Sequence, residues 1–456
     1  MPQPGDAPGQ AIPPTPMKRI GPAVVIGTAL EWFDFFLYSS MAALVFGQVF
    51  FPSGNSAGST LAAFATFAVG FLARPLGGVV FGIMGDKIGR KTVLSLSLLI
   101  MGGASGLIGL LPSYATIGVA APVLLVILRV IQGFGAGAEF GSAIAVSYEH
   151  AGAKTRGRYT SLPALGVQIG LLAASLSVTA VTSFGDEFLY SWGWRIPFIA
   201  SFVLVGVGYW IRRNMPETPE FERVAAARPQ RRSRKIFGDL LRSDWRGLLV
   251  VAAVYAGYAA ISYTFKTFSL SYLSEFQDVP ANVGSFGVAL ASAVAIAVVP
   301  LVGRLCDRVD IRRIMLFAAV SVLLIAFPMF WVLDTGKPVF VWAILILGTG
   351  ILAPIMIVAS SPFMAQQFPT DVRASGLGAG REVSGAIAGG LAPLAALTIV
   401  TLSPGHATWG VSLLLMGCAL LVVVGVLFDQ KNRVLLRSSG TNSSPESSTE
   451  TASERV

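Results

Sequence analysis

The chain has 456 residues, 54% of them hydrophobic and only 12% charged, with a formal net charge of +9. A water-soluble domain carries about 25% charged residues, so this composition excludes a soluble globular fold. The basic excess lies in short stretches between apolar runs, which reads as membrane topology rather than a nucleic-acid footprint.

Residues 1–17 are proline-rich without an apolar stretch and are expected to be a disordered cytoplasmic lead, not a signal peptide. Twelve apolar spans follow, predicted at 21–46, 60–84, 92–111, 119–147, 160–182, 194–212, 247–273, 283–303, 313–333, 338–364, 376–402 and 407–428. Several exceed the roughly 18 residues that mark a membrane crossing. None alternates with the period of two that a barrel strand requires, so the predicted class is an all-α membrane protein.

The connections are short except for 213–246, a basic linker containing Arg228-Pro-Gln-Arg-Arg-Ser-Arg-Lys235. It divides the chain into a six-helix half at 18–212 and a second at 247–430, with a tail at 431–456, Ser/Thr/Glu-rich and expected to be disordered from about 438. On one side of the spans the loops carry only Arg195 and Lys337; the other side carries the remaining loop and terminal Lys and Arg. The positive-inside rule then predicts a multi-pass inner-membrane protein with both termini and the linker in the cytoplasm.

The halves repeat. Gly82-Ile-Met-Gly-Asp86-Lys-Ile-Gly89-Arg90-Lys after the second span is matched by Gly303-Arg-Leu-Cys-Asp307-Arg308 after the eighth. Glu149 and Arg156 after the fourth span are matched by Gln366 and Arg373 after the tenth. Glycines permit a sharp reversal, and Asp86 can accept from a helix N-terminus or pair with Arg90.

Eight ionisable residues fall within spans: Glu31, Asp34, Arg74, Arg129, Glu139, Lys266, Arg381 and Glu382. Each is costly in a bilayer and is a functional candidate. Glu31 and Asp34 are three apart and so share a helix face. Both cannot ionise cheaply there, which suits a coupling proton on Asp34 first, with Glu31 and Glu139 next. Arg129 is placed to toggle Asp34. Lys266 and Arg381 are cations of the second half suited to a carboxylate, and Arg can hold one bidentately. Tyr255, Tyr258 and Tyr263 share the helix of Lys266 and offer hydroxyls, or else pack at an interface. Glu382 is adjacent to Arg381 but about 100° round the helix, so it need not be its partner. Arg74 is either functional or a bundle-stabilising charge. The two cysteines, Cys306 and Cys418, occupy different predicted environments, which argues against a disulfide or metal site.

The loop pattern resembles the signature of the major facilitator superfamily. Glu31-Trp-Phe-Asp34-Phe-Phe, Phe71-Leu-Ala-Arg74-Pro-Leu-Gly-Gly, Arg129-Val-Ile-Gln-Gly-Phe-Gly-Ala-Gly-Ala-Glu139, Trp192-Gly-Trp-Arg-Ile-Pro-Phe198 and Glu217-Thr-Pro-Glu-Phe are similar to its metabolite:proton symporters. The resemblance implies a conformational latch at Gly82, Asp86, Gly89 and Arg90, with Asp307 and Arg308 in the second copy, which departs from the pattern at Asp310 and Ile311. It also departs at Gln366 and at Arg381-Glu382. The implied function is import of a small organic anion, shikimate-like or another carboxylate, by proton symport with rocking halves. It implies a monomer in the bilayer, with no cofactor, metal or nucleic acid. The alternatives are a zwitterionic osmolyte:proton symporter and, behind it, an exporter. The fifth span, Gly166-Val-Gln-Ile-Gly170, lacks the Gly-Pro pair of drug antiporters. An enzyme is disfavoured, since His150 and His406 fall on opposite sides and no nucleophile motif occurs.

Overall fold

The computed structural model describes residues 17–429 except Gly54, Gly89, Ala138, His150, Ala153 and the ranges 214–243 and 370–372. The proline-rich lead, most of the basic linker and the tail therefore lie outside the described residues. Among the described residues there are helices and no strands.

In chain order the spans are α1 Met17–Leu44, α2 Ser56–Ile88, α3 Arg90–Gly109, and α4 in two pieces, Ala120–Ala136 and Glu139–Glu149. Next come α5 Arg156–Thr182, α6 Arg195–Arg213, α7 Trp245–Phe276 and α8 Ala281–Cys306. The last are α9 Ile311–Leu333, α10 Pro338–Ala365, α11 Arg373–Leu402 and α12 Trp409–Leu427. Among the described residues eight helices are long and apolar enough to cross a membrane unaided, and Asp186–Gly193 with Arg195–Trp210, bent by 42°, is long and apolar enough as a pair. The apolar stretches of α3 and α4 are shorter, and α1 is interrupted by Glu31 and Asp34. Exposed Leu76, Val203, Trp210, Leu324, Trp331 and Leu402 ring the bundle, as expected where the solvent is lipid.

The fourth span, expected over 119–147, is helical over Ala120–Ala136 and Glu139–Glu149 and packs closely on α2. A β-carbon on Gly133 would lie 1.9 Å from the Gly70 carbonyl oxygen, and one on Gly137 would lie 2.1 Å from that of Arg74. Glycines on both helices let the backbones touch, as small residues do in membrane interfaces.

Within the halves α1 packs on α5 and α7 on α11; between them α2 packs on α11 and α8 on α5. Replacing each helix by the one six positions away in the other half converts one pair into its counterpart, the pattern of parallel repeats about an axis normal to the membrane. The halves meet at both ends. At the end where α1 begins and α12 finishes, here the terminal end, the Gly157 N–H of α5 donates to Asp307 Oδ1 at 2.7 Å. At the opposite end Thr60 Oγ1 donates to Glu275 Oε1 at 2.8 Å, and Ser56 also donates to this carboxylate.

Candidate functional site

A chain of buried charges runs through the middle of the bundle. Arg74 Nη2 of α2 donates to Glu31 Oε1 of α1 at 2.8 Å, and Arg74 Nε donates to Glu382 Oε2 of α11 at 2.9 Å. Arg381 Nη1 donates to Glu382 Oε1 at 2.8 Å, and its Nη2 donates to the Tyr255 hydroxyl of α7 at 2.8 Å. The ladder balances two acids against two guanidinium groups, so its members are paired as buried charges must be. It also joins the halves, since Glu31 and Arg74 belong to the first and Glu382, Arg381 and Tyr255 to the second. Rings cover it: Arg381 Cζ sits 3.8 Å from the Phe140 ring centre and Arg74 Cζ 4.7 Å from that of Phe35.

The sequence left the partner of Arg381 open. Glu382 is the ion-pair partner of Arg381: both side chains are long enough to curl together despite the angle between their positions. Glu31 and Asp34 do not share one site. Glu31 turns to Arg74, whereas Asp34 accepts from Ser201 Oγ of α6 at 2.6 Å. Gly102 of α3 makes room beside Asp34, since a β-carbon there would lie 3.6 Å from Asp34 Oδ2 and 1.7 Å from Val205.

Arg129 is fully buried and makes no ion pair within 4.0 Å among the described residues. Its Nη1 donates to Gln132 Oε1, and Gln132 Nε2 donates to Ser105 Oγ at 2.6 Å. Its Nε and Nη2 have no acceptor among the described residues. The guanidinium lies 3.9 Å from the Tyr38 ring centre, 4.6 Å from Phe35 and 5.2 Å from Phe67. Asp34 is close enough for their charges to interact without touching.

Lys266 is buried in a π-helical turn, Thr264–Phe268, within α7. Such turns interrupt the regular ladder and recur at functional sites. No carboxylate lies within 4.0 Å of it among the described residues. Its Nζ sits 4.2 Å from the Phe36 ring centre and 5.0 Å from that of Tyr263. The Tyr263 hydroxyl has no hydrogen-bond partner among the described residues. Tyr263 packs on Phe67 at 5.5 Å and Phe71 at 5.3 Å, so Phe67 is shared between Arg129 and Tyr263. Two cations from opposite halves thus face one aromatic layer, with free donors between them.

Tyr258 packs on Tyr255 at 5.7 Å and lines a small apolar space within the second half with Val254, Met315, Met356, Ser360 and Val422. Of Glu139 only the helical backbone is described. The same holds for Gly82, Asp86 and Arg90, and Gly89 lies outside the described residues. In the second copy of the loop, Asp307 does cross to the first half, taking the Gly157 N–H and, at 3.4 Å, that of Arg158. Arg308 is exposed. Asp310, where the pattern expects glycine, caps α9 by accepting from the Arg312 N–H at 3.0 Å. The repeated pair Arg156 and Arg373 converges on one ring, Tyr148, at 4.6 and 4.8 Å.

Gln132, Tyr38, Phe140, Ser201, Gly70 and Glu275 were not singled out from the sequence. Gln132 was within reach, three residues after Arg129 on the same face. Glu275 lies at a span end, where a charge is unremarkable by sequence.

The chain matches the family model of the Major Facilitator Superfamily over residues 24–393. It is 36% identical over 409 residues to the shikimate transporter of Escherichia coli (strain K12), covering 89% of this chain and 93% of that protein. It is 32% identical over 388 residues to a putative proline/betaine transporter of Staphylococcus aureus (strain COL), covering 84% of this chain and 82% of the relative. The fold is also that of a D-xylose-proton symporter, with a TM-score of 0.66 at 16% identity, covering 91% of this chain and 98% of the other. With twelve helices in two related halves, a buried charged interior and these relatives, the chain is a multi-pass membrane transporter and belongs to the Major Facilitator Superfamily.

Proposed function

We propose that the protein imports a small organic anion together with protons across a bacterial inner membrane, as a monomer with both termini in the cytoplasm. The carrying observation is the pair of buried cations from opposite halves, Lys266 and Arg129, neither of which has a carboxylate within 4.0 Å among the described residues. An uncompensated cation costs about 2.5–3.5 kcal/mol at a helix centre on insertion scales. A substrate carboxylate between them offsets that cost, with Tyr263 and the free Arg129 N–H groups as donors. Arg381 ranks behind them as an anion contact because its two terminal nitrogens already serve Glu382 and Tyr255. Asp34, buried and held by Ser201 beside the field of Arg129, is the proposed proton carrier. Similarity to a shikimate transporter favours a cyclic monocarboxylate.

A zwitterionic osmolyte offers the same carboxylate, but its cation would be repelled by Lys266 and Arg129. The test is uptake into proteoliposomes with labelled monocarboxylates, dicarboxylates and betaine, with and without a proton gradient. Accumulation of a monocarboxylate that collapses on adding a protonophore supports the reading. Uphill uptake that persists without the gradient, or uptake of betaine alone, refutes it.

A further inference from the structure

Arg129 of α4 and Asp34 of α1 are opposite charges buried in the same half and near enough to interact. In a poorly polarisable interior such charges attract far more strongly than in water, so a direct ion pair is the expected arrangement. The two are nevertheless apart, with no carboxylate within 4.0 Å of Arg129 among the described residues. The described groups whose charges reach Arg129 are Tyr38 of α1, Tyr263 of α7, Arg74 of α2 and Asp34. Asp34 is the acid among them, and hence the group that Arg129 would take.

One glutamine stands between them. Gln132, a turn after Arg129, accepts from the guanidinium Nη1 on its amide oxygen, and its Nε2 donates to Ser105 Oγ of α3 at 2.6 Å. Chemistry fixes this orientation, because a guanidinium only donates and the amide oxygen must face it. Ser105 Oγ also lies beside the Asp34 carboxylate. Its one hydrogen goes to the Met101 carbonyl oxygen at 3.1 Å and by rotation serves Asp34 instead. Ser201 holds Asp34 from α6 at 2.6 Å. Gln132 and Ser105 are both fully buried. Two polar side chains from α4 and α3 thus fill the line between the guanidinium and the carboxylate.

The separation decides what Arg129 has left to offer. Its Nε and Nη2 have no acceptor among the described residues, and the Tyr38 and Phe35 rings lie against it at 3.9 and 4.6 Å. A direct pair with Asp34 would consume those donors. We propose that Gln132 is a positioning residue that holds Arg129 off Asp34 and so leaves the guanidinium free for the substrate anion; without it the two charges close into an ion pair. The anion's place on Arg129 rests on the function proposed above, whereas the separation of the two charges does not.

A double-mutant cycle tests the separation without any ligand. Full-length parent protein, Asp34→Asn, Gln132→Leu and Gln132→Leu/Asp34→Asn are purified and melted at alkaline pH. Asp34→Asn should lower the melting temperature more in the Gln132→Leu background than in the parent, because only there does it break a buried ion pair. An equal or smaller loss overturns the proposal. Binding of labelled benzoate, a cyclic monocarboxylate, by the same four proteins reads the consequence for the site. Gln132→Leu should bind about tenfold more weakly, the scale of a typical coupling between sites. Gln132→Leu/Asp34→Asn should regain most of the parent's affinity, since no acid is left to occupy Arg129. A glutamine that only packs predicts no recovery, and weak binding by both overturns the proposal. A parent protein that does not bind benzoate while the melting cycle holds counts against the anion reading and leaves the separation standing. Should Gln132→Leu not reach the membrane folded, Gln132→Met, closer to glutamine in length, enters the same cycle with the same outcomes.

Discussion

Arg74 Nε of α2 donates to Glu382 Oε2 of α11 at 2.9 Å, a buried ion pair that crosses from one half of the transporter to the other. The Glu31 carboxylate holds the far side of the same guanidinium at 2.8 Å. Arg74 is therefore a hub, and Arg381 is an end of the ladder.

Stability should reflect that difference. Arg74→Gln breaks two buried ion pairs at once, those with Glu31 and Glu382, and breaking a buried pair costs about 3–5 kcal/mol. Arg381→Gln leaves Glu382 still paired with Arg74 and should cost less. Thermal unfolding of the purified proteins should rank Arg74→Gln lowest, with part of the loss recovered in Arg74→Gln/Glu31→Gln. Equal melting temperatures for the two single variants would contradict the hub assignment.

Lys266 should trade stability for function. Replacing it with Met keeps the bulk and removes a buried charge with no carboxylate within 4.0 Å among the described residues. Lys266→Met is expected to unfold at a higher temperature than the parent protein without substrate, and to lose anion binding. A variant that is destabilised and still binds would show that the ammonium is a structural charge.

Glycines that face different groups should behave differently. A β-carbon on Gly70 would fall 2.3 Å from Arg129 Nε, a side chain that can shift, whereas one on Gly133 would fall 1.9 Å from a backbone oxygen. Gly70→Ala is expected to reach the membrane folded but with anion affinity lowered by about tenfold or more, equivalent to losing about 1.4 kcal/mol. Gly133→Ala should reduce the folded yield itself. Western blotting of membrane fractions alongside binding measurements separates the two, and normal binding by Gly70→Ala would exclude Arg129 from the site.

The terminal-end seam should respond to Asp307 and not to Asp310. Asp307→Asn weakens a carboxylate at the start of α5, an interaction worth about 0.3–2 kcal/mol, and should favour separation at that end. Asp310→Ala removes only the cap of α9, about 1 kcal/mol of stability. Distances between spin labels across the seam should lengthen for Asp307→Asn alone.

Proton coupling should fail at Asp34. Asp34→Asn is expected to lose uphill accumulation while still exchanging internal for external anion, and accumulation by the parent protein should grow as the external pH is lowered. Ser201→Ala removes the hydroxyl donor at 2.6 Å, worth about 1.5–3 kcal/mol when the acceptor is charged. It should shift the pH profile without abolishing transport. Normal accumulation by Asp34→Asn would move the coupling proton elsewhere.

The sequence by itself determined the class, the twelve spans and the six-plus-six repeat, because lipid leaves a chain of this composition few ways to satisfy its backbone. It also picked out eight candidate charges, since each stands out in an apolar run. It could not determine their partners. Arg74 meets Glu382 across 308 positions of chain, and Asp34 meets Ser201 across 167. Such pairs follow from how helices rotate and cross, which close glycine contacts such as Gly70 with Gly133 permit. Local spacing also misled where side chains are long: Arg381 and Glu382 point apart as positions yet bond as groups. Only the tertiary structure separated the paired ladder from the two cations left facing the aromatic layer, because pairing depends on distances between helices that no periodicity encodes.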